Sequence, residues 1–261
     1  MKTDEMFDLS GRVAVVPGGG GAIGSAIASG LADAGAAVAL VGRSQERVDA
    51  AAREIGDSGG TALAISADAT NPEQTQDAID RTVAELGRVD IIVNAIGGGA
   101  GDVLHDAEDY PGEAWDWIME LNVRSTLLPT QAAVRQMISQ GEGGRVLNIS
   151  SVRGQLGINA GYSAYVAAKG AIDSLTRQWA TEWAKHGISV NAISPTFVDT
   201  PQVASLLGDP AFKAGIVSRI PIGRVGTTDD LLGAALLFCS RAGSFITGQI
   251  LTIDGGLTAT Q

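Results

Sequence analysis

Tyr165 and Lys169 stand four residues apart in the segment Ser163-Ala-Tyr-Val-Ala-Ala-Lys169, and together they can carry proton chemistry. If the segment is helical, this spacing places both side chains on one face. A phenol beside an ammonium can donate a proton to a carbonyl oxygen, and we expect the positive charge to lower the pKa of the tyrosine. The alternative is a surface helix on which the two residues meet by chance, so the pair needs support from other residues.

A glycine-rich turn at residues 17–24 reads Pro-Gly-Gly-Gly-Gly-Ala-Ile-Gly and lies between the first apolar run and the first helical pattern. Glycines let the backbone approach a pyrophosphate closely, and a helix N-terminus offers free N–H donors. In isolation such a turn is usually only a turn. Between a first strand and its helix we expect it to bind a nucleotide, through Gly18, Gly20, Gly21, Ile23 and Gly24.

A second coenzyme contact is expected after the second strand, where the chain reads Leu40-Val-Gly-Arg-Ser44 without a carboxylate. A carboxylate at this point typically binds the adenosine ribose of NAD. Arg43 and Ser44 can instead bind a 2′-phosphate, because a guanidinium fits phosphate geometry. The sequence therefore favours NADP(H), with NAD(H) still possible. The alternative is that Arg43 is solvated surface and Ser44 caps the next helix.

The elements that must position these residues follow from β-branched runs that alternate with helical patterns. The runs predict seven strands, at residues 12–16, 37–41, 62–66, 91–94, 145–150, 188–193 and 249–253. The patterns between them predict helices at 23–34, 46–55, 72–86, 113–138, 162–186 and 228–240. Strands separated by helices need crossover connections, which build a parallel sheet with both faces covered.

We therefore predict a single α/β domain over residues 1–261, a doubly wound seven-stranded parallel sheet in the order 3-2-1-4-5-6-7 with helices on both faces. The main irregular stretch, residues 195–224, follows the last long helix. Ligands of such sheets bind at the carboxyl ends of the strands. We expect a mobile lid over that position, around residues 196–222.

Composition excludes several classes of protein. Charged residues make up 18% of the 261 residues and hydrophobic ones 45%, which is too apolar for a disordered chain. The net charge of −11 argues against nucleic acid or an anionic membrane as a partner. Cys239 is the only cysteine, so we expect a buried structural thiol in a cytoplasmic protein. No signal peptide, membrane span or metal site is predicted.

Taken in order, these motifs resemble the short-chain dehydrogenase/reductase family over essentially the full chain. The glycine turn is similar to that family's coenzyme loop, with Pro17 in place of the usual threonine and Ala22 in place of the middle glycine. The resemblance implies a Rossmann-type fold. It also implies a catalytic tetrad of Asn122, Ser151, Tyr165 and Lys169.

The same resemblance implies further contacts with the coenzyme. Asp68 matches the acidic residue that meets adenine, and the segment Asn94-Ala-Ile-Gly97 stands where the family has Asn-Asn-Ala-Gly. Residues 195–200 are similar to the loop that closes over nicotinamide, with Thr196 in place of a glycine. The implied contacts are Asp68, Ala69, Asn94, Ala95, Tyr165, Lys169, Pro195, Val198 and Thr200.

The implied reaction is hydride transfer between a nicotinamide coenzyme and a carbonyl or secondary alcohol. Tyr165 would exchange the proton, Ser151 would hydrogen-bond the same oxygen, Lys169 would stabilise tyrosinate and hold the ribose, and Asn122 would position a water. Two alternatives stay open. Asn122 can instead satisfy backbone groups in a broken helix, and Ser150 can replace Ser151 as the catalyst. Tyr162 is a weaker proton donor candidate because Val166, not a lysine, follows it.

The substrate is predicted to be small and polar, such as a sugar or sugar acid. Arg153 and Gln155 follow Ser151 directly, and Arg153 can bind a carboxylate or stand as an exposed loop arginine. His105, with Tyr110, Trp115 and Trp117 in the stretch 98–117, can line a pocket or pack against a helix start. The motifs at 151–154 and 220–224 are similar to the family's sugar-acid reductases.

The sequence disfavours two other functions. A 3-oxoacyl-carrier-protein reductase would need a basic docking patch, which the sparse lysines disfavour. A non-catalytic dinucleotide-binding regulator is disfavoured by an intact tetrad. The resemblance also implies a homotetramer built on the helices predicted at 116–138 and 162–186.

Overall fold

A parallel sheet of seven strands in the order 3-2-1-4-5-6-7 forms the centre of the computed structural model, which describes residues 2–99 and 103–260. The order and direction are those predicted, and each strand lies within two residues of its predicted ends. The strands are β1 Val13–Pro17, β2 Ala37–Gly42, β3 Thr61–Ser66, β4 Ile91–Asn94, β5 Gly144–Ile149, β6 Ile188–Pro195 and β7 Ile250–Ile253.

Helices connect the strands on both faces. They are α1 Thr3–Phe7, α2 Ala22–Asp33, α3 Gln45–Asp57, α4 Pro72–Leu86, α5 Gly112–Met119, α6 Ser125–Gln140, α7 Ser163–Trp183, α8 Ala204–Leu207, α9 Pro210–Val217 and α10 Leu232–Cys239. Local signals fix several ends: α4 starts at Pro72 after the cap Asn71 and stops at Gly87, which has φ +90°.

The core consists of two apolar layers, one on each face of the sheet. Ile27 of α2, Val48 of α3 and Phe238 of α10 pack on one face. Ile79 of α4, Met137 of α6 and Trp179 cover the other. Because side chains alternate along a strand, Val16 and Val15 of β1 belong to opposite layers. Both faces are thus buried, as expected for a parallel sheet.

The helix predicted at 113–138 is not continuous. A π-helical turn, Glu120–Arg124, separates α5 from α6. Asn122 in this turn is fully buried and makes tertiary hydrogen bonds to the backbone of Gly98, which lies after β4. Helical periodicity alone does not signal such a turn, because its residues keep helical dihedral angles.

Two other predicted helices end differently from their patterns. The helix predicted at 162–186 is α7 followed by a 3₁₀ turn, Ala184–His186, and α10 is preceded by the 3₁₀ turn Asp229–Leu231. The irregular stretch after β6 contains two short helices, α8 and α9. Across the described residues, no helix has the length and apolar character needed to cross a bilayer.

Cys239 ends α10 and is buried, with 3% of its surface exposed. Burial raises the pKa of its thiol to about 12, and the nearby Arg145 opposes the shift only in part. A thiol that stays protonated and covered is unreactive. The structure therefore agrees with a structural cysteine.

Candidate active site

A cleft of about 530 Å³ opens at the carboxyl ends of the central strands. We call its inner part the cleft floor, which consists of the ends of β4 and β5 and the face of α7 that carries Tyr165 and Lys169. We call residues 196–222, which border its outer part, the cleft mouth. The position agrees with the rule that doubly wound sheets bind ligands beyond the carboxyl ends of their strands.

Lys169 lies in the cleft floor with 3% of its surface exposed. Its Nζ donates to the carbonyl oxygen of Ile149, at the end of β5, at 3.0 Å. Burial lowers the pKa of Lys169 to about 8, while the negative charge of Asp173 acts in the opposite direction. The ammonium is therefore fixed in place, and its pKa lies close to physiological pH.

Tyr165 lies one helical turn before Lys169, as the spacing predicted, but the expected pKa shift is wrong. Burial raises the pKa of the Tyr165 phenol, and hydrogen bonding with Ser151 and the charge of Arg153 lower it only in part. The Lys169 Nζ lies over the tyrosine ring, 5.6 Å from its centre, and is bonded to Ile149. The phenol therefore stays protonated at neutral pH.

The two adjacent serines after β5 have different partners. The Ser150 hydroxyl donates to Oδ1 of Asp173 at 2.6 Å, in the protein interior. Both serines line the cleft, but the Ser151 Oγ accepts from the Arg153 N–H at 3.2 Å and lies beside the Tyr165 phenol, whereas the Ser150 hydroxyl is already engaged by Asp173. The geometry favours Ser151 over Ser150 as the serine that can reach a ligand.

Asp173 is a buried carboxylate that sequence reasoning missed. It is 2% exposed and lies one turn after Lys169, so that Tyr165, Lys169 and Asp173 form a row along α7. Burial raises the pKa of Asp173, and the Ser150 hydrogen bond is the largest opposing effect. The i, i+4, i+8 spacing in the sequence was a signal that could have identified this residue.

Asn122 contacts the cleft floor through the backbone of Gly98, which follows β4. Its Nδ2 donates to the carbonyl oxygens of Gly98 and Ile118, each at 2.9 Å, and its Oδ1 accepts from the Gly98 N–H at 3.1 Å. A Cβ on Gly97 would lie 2.7 Å from Asn122 Oδ1 and 3.0 Å from Lys169 Nζ. Asn122 thus satisfies backbone groups, as its alternative role predicted, and does so next to Lys169.

The glycine turn between β1 and α2 borders the other end of the cleft. Gly21, Ile23 and Gly24 line it, together with Ala95. Gly24 crosses directly over Gly18, and a Cβ on Gly24 would overlap the Gly18 carbonyl oxygen. This close crossing keeps the start of α2 next to the strand end and leaves its first N–H groups for a ligand.

The expected phosphate contacts follow β2. Arg43 and Ser44 are exposed and lie outside the cleft lining. Ser44 caps α3 by accepting from the Arg47 N–H at 3.4 Å, which is the alternative role considered for it. Arg47, in the first turn of α3, does line the cleft, and sequence reasoning missed it. A second arginine four residues after Arg43 was the available signal.

The remaining expected coenzyme residues fall into two groups. Pro195, Val198 and Thr200 line the cleft, as does Thr196, whose buried Oγ1 has no hydrogen-bond partner among the described residues. Those outside the lining are Gly18, Gly20, Asp68, Ala69 and Asn94.

Two residues of the second group have structural partners. Asn94 is buried, and its Nδ2 donates to Thr130 and to Asn148 of β5, both at 2.8 Å. The Asp68 carboxylate accepts from the Thr70 N–H and hydroxyl, at 2.9 and 2.8 Å. These contacts fix the two side chains at the ends of β4 and β3.

Of the three residues predicted to bind the substrate, one lines the cleft and two do not. Arg153 lines the cleft with 8% of its surface exposed, so it is not an exposed loop residue. Gln155 is exposed and lies outside the cleft lining, as does His105. His105 packs edge-on against Tyr110, with ring centres 5.4 Å apart.

Tyr110 continues this packing to Trp115, at the start of α5, with ring centres 6.3 Å apart. His105, Tyr110 and Trp115 therefore pack around a helix start, while Trp117 is 51% exposed, and none of the four lines the cleft. Residues 100–102 of that stretch lie outside the described residues.

The site fits a dinucleotide coenzyme on its own geometry. The cleft runs from a helix N-terminus held close to its strand to a floor with a buried lysine and a protonated phenol. Backbone N–H groups, Arg47, Arg153 and the buried Thr196 hydroxyl, which has no partner in the described part of the chain, supply donors along it. At the floor, a phenol and a serine hydroxyl can both bond one substrate oxygen, which is the arrangement that carbonyl reduction needs.

A family model described as "Enoyl-(Acyl carrier protein) reductase" matches residues 20–258. Among curated proteins, gluconate 5-dehydrogenase of Gluconobacter oxydans is 35% identical over 260 residues, covering 100% of both chains. 2-Dehydro-3-deoxy-D-gluconate 5-dehydrogenase of Escherichia coli is 36% identical, covering 97% of this chain and 98% of the relative.

Solved structures agree with these relatives. A gluconate 5-dehydrogenase from Burkholderia cenocepacia, in complex with NADP and tartrate, superposes with a TM-score of 0.93, 35% identity and full coverage of both chains. A short-chain type dehydrogenase/reductase from Mycobacterium marinum gives a TM-score of 0.92 and 37% identity, covering 98% of this chain and 99% of that one.

Proposed function

The chain belongs to the short-chain dehydrogenase/reductase family, and we propose that it is an NADP-dependent oxidoreductase that interconverts a secondary hydroxyl and a ketone on a sugar acid. One observation carries the proposal: Ser151, Tyr165 and Lys169 meet in one cleft with the glycine turn at its other end. The gluconate-linked names of the relatives support the substrate class.

The coenzyme would lie along the cleft, and when bound it supplies or accepts the hydride. Gly18 to Gly24 would hold its pyrophosphate through backbone N–H groups. Arg43, Ser44 and the newly identified Arg47 would hold the 2′-phosphate of NADP. On the adenine side we assign Asp68 and Ala69, on the central part Asn94 and Ala95, and on the nicotinamide side Pro195, Val198 and Thr200.

Tyr165 would give its proton to the ketone oxygen in the reductive direction. The raised pKa of the phenol supports this role, because an acid must hold its proton at neutral pH. Ser151 would donate a hydrogen bond to the same oxygen and stabilise the charge that develops there. In the oxidative direction Tyr165 acts as the base, so we expect oxidation to accelerate as pH rises.

Lys169 would stabilise the tyrosinate that remains and hold the coenzyme ribose. The Lys169 Nζ lies over the Tyr165 ring, and the pKa of Lys169 is about 8. Both observations support a further role for Lys169 in passing a proton onward. Asn122 would keep the Gly98 backbone next to this lysine and position a water there. Both roles depend on the buried contacts of the cleft floor.

The cleft mouth would act as a mobile lid on the same 1–261 domain. Its short helices α8 and α9 and half-exposed side chains such as Phe212 support a segment that orders over a ligand. We also propose a homotetramer in the cytoplasm. Exposed apolar side chains on α5 and α6, Trp117 at 51% and Ile138 at 38%, support this assembly.

Separate titrations with NADPH and NADH, followed by absorbance at 340 nm with a panel of keto sugar acids and neutral ketones, test the function. We expect NADPH to bind more tightly and keto acids to be reduced fastest. A preference for NADH would contradict the role of Arg43 and Arg47, and a preference for neutral ketones would contradict the substrate class. Gel filtration at a mass near the 26.6 kDa monomer would contradict the tetramer.

A further inference from the structure

Arg153 is a buried cation in the cleft, two residues after Ser151. It lies in the 3₁₀ turn Val152–Gly154, which begins at the end of β5 and borders the reacting groups. Only 8% of its surface is exposed, in a chain whose arginines mostly lie at the surface. A position this close to Ser151 and Tyr165 puts its charge within reach of any substrate held by those hydroxyls.

The guanidinium has unused bonding capacity. Its Nη1 donates to the Gly157 carbonyl oxygen at 3.0 Å, which engages one of its five N–H donors. Among the described residues, no carboxylate lies within salt-bridge distance of it. Buried guanidinium groups are normally paired with an anion, because an unpaired buried charge is costly.

A second positive charge adds to this imbalance. Burial lowers the pKa of Arg153, and the charge of Arg219, which follows α9 in the cleft mouth, acts in the same direction, while Tyr162 and Tyr165 oppose the shift. Like charges repel each other, and here they do so in a protein whose net charge is −11. An anion placed beside Arg153 would offset the cost of burying its charge and would weaken the repulsion from Arg219.

We propose that Arg153 binds the carboxylate of the substrate and thereby selects acids over neutral polyols. The inference rests on the proposed function to the extent that Ser151 and Tyr165 hold the reacting oxygen. It goes further by naming the group that recognises the acid. The planar guanidinium can bond both carboxylate oxygens, which a lysine cannot match.

The test compares two substrates that differ only at C1. D-Gluconate carries a carboxylate there and D-glucitol carries a hydroxymethyl group, so the ratio of their kcat/KM values isolates recognition of the charge. We expect the wild-type enzyme to prefer gluconate by about tenfold to a hundredfold, and Arg153→Met to lose most of that preference. Arg153→Lys keeps the charge but loses the planar pair of donors, and we expect an intermediate ratio.

Arg81→Met is the matched control, because Arg81 is an exposed arginine of α4 paired only with Glu85. Its substrate ratio should equal that of the wild type. Equal losses for both substrates in Arg153→Met and Arg153→Lys would overturn the proposal, because they would show that the arginine acts on Tyr165 or on folding and not on the carboxylate. An unchanged ratio would overturn it as well.

A binding measurement separates this inference from the proposed function. With NADP⁺ present, tartrate should raise the melting temperature of the wild type but not of Arg153→Met. If tartrate stabilises neither protein, or both equally, no carboxylate site exists at Arg153. If the tartrate result holds while no sugar acid is turned over, the carboxylate site stands and the proposed sugar-acid function is wrong.

Discussion

The cleft floor and the cleft mouth are built in different ways. The floor consists of strand ends and one long helix, and two of its buried polar side chains are held by hydrogen bonds, Lys169 to Ile149 and Ser150 to Asp173. The mouth consists of two short helices, with Phe212 37% exposed and Ile222 67% exposed. Gln202 of the mouth donates a long hydrogen bond to the floor, 3.4 Å to the Gly97 carbonyl oxygen.

This difference assigns separate tasks to the two regions. A buried floor with hydrogen-bonded side chains such as Lys169 and Ser150 holds the reacting groups in one geometry, and it therefore decides which reaction occurs. Because the mouth has few buried contacts, substitutions there cost little stability. The mouth can therefore determine which molecule enters the cleft. Variants in the floor should change turnover, while variants in the mouth should change substrate affinity.

The largest effect is expected for Tyr165→Phe, in the floor. Loss of the phenolic proton should lower kcat by about 10²- to 10⁴-fold, because the group that protonates the substrate oxygen is removed. Coenzyme binding, measured by fluorescence titration, should persist. Tyr162→Phe is the matched comparison, since its ring lies 6.1 Å from that of Tyr165. A near-normal rate for Tyr165→Phe would refute the assignment.

The adjacent serines give the next largest contrast. Ser151→Ala should lower kcat by about 10²- to 10³-fold, because one hydrogen bond to the developing oxyanion is lost. Ser150→Ala should instead leave the buried Asp173 carboxylate without its donor and lower the free energy of unfolding by about 1–3 kcal/mol. Steady-state rates and urea unfolding measure the two outcomes, and an inverted result would make Ser150 the catalyst.

Asp173→Asn should produce a moderate, pH-dependent loss. The Asp173 charge raises the pKa of Lys169, which burial lowers to about 8, so removing the charge lowers that pKa further. Lys169 then loses its proton at a lower pH, and the alkaline limb of the reduction profile should move to lower pH. We expect a loss of up to about tenfold at pH 8 and little change at pH 6. An unshifted profile would show that Asp173 is structural only.

The smallest effect is expected in the mouth, for Phe212→Ala. Phe212 meets Phe197 edge-on, with ring centres 6.0 Å apart, and this contact joins α9 to the segment after β6. An aromatic pair of this kind contributes about 0.5–1.5 kcal/mol, so we expect KM to rise by about two- to tenfold. A fall in kcat at constant KM would place the mouth within the chemistry and remove the distinction between the two regions.

The floor was also the more predictable region from sequence. Buried parallel strands appear as continuous β-branched runs, so their order and ends followed from the pattern, and the glycine turn and Tyr165–Lys169 pair stood at defined places on that frame. The errors concern tertiary contacts. The pKa of Tyr165 depends on burial, and the break at Glu120–Arg124 depends on Asn122 reaching Gly98.

The mouth and its neighbours were less predictable because their residues carry no periodic signal. Arg153 stood next to Ser151 in the sequence, but its burial and its lack of a described carboxylate partner depend on how the 3₁₀ turn packs. His105 and its aromatic neighbours were equally compatible with a pocket or a helix start. Only the folded structure distinguishes these alternatives, because each depends on the direction in which a side chain points.

The π turn at Glu120–Arg124 makes the number of residues, and not only their identity, a constraint on how this chain can evolve. Deleting one residue there would restore a regular α-helix and rotate the preceding segment by about 100° relative to α6. Asn122 would then point away from Gly98 even though no residue of the site had been substituted. We therefore expect insertions and deletions to be tolerated in the segment after β6, but not between α5 and α6.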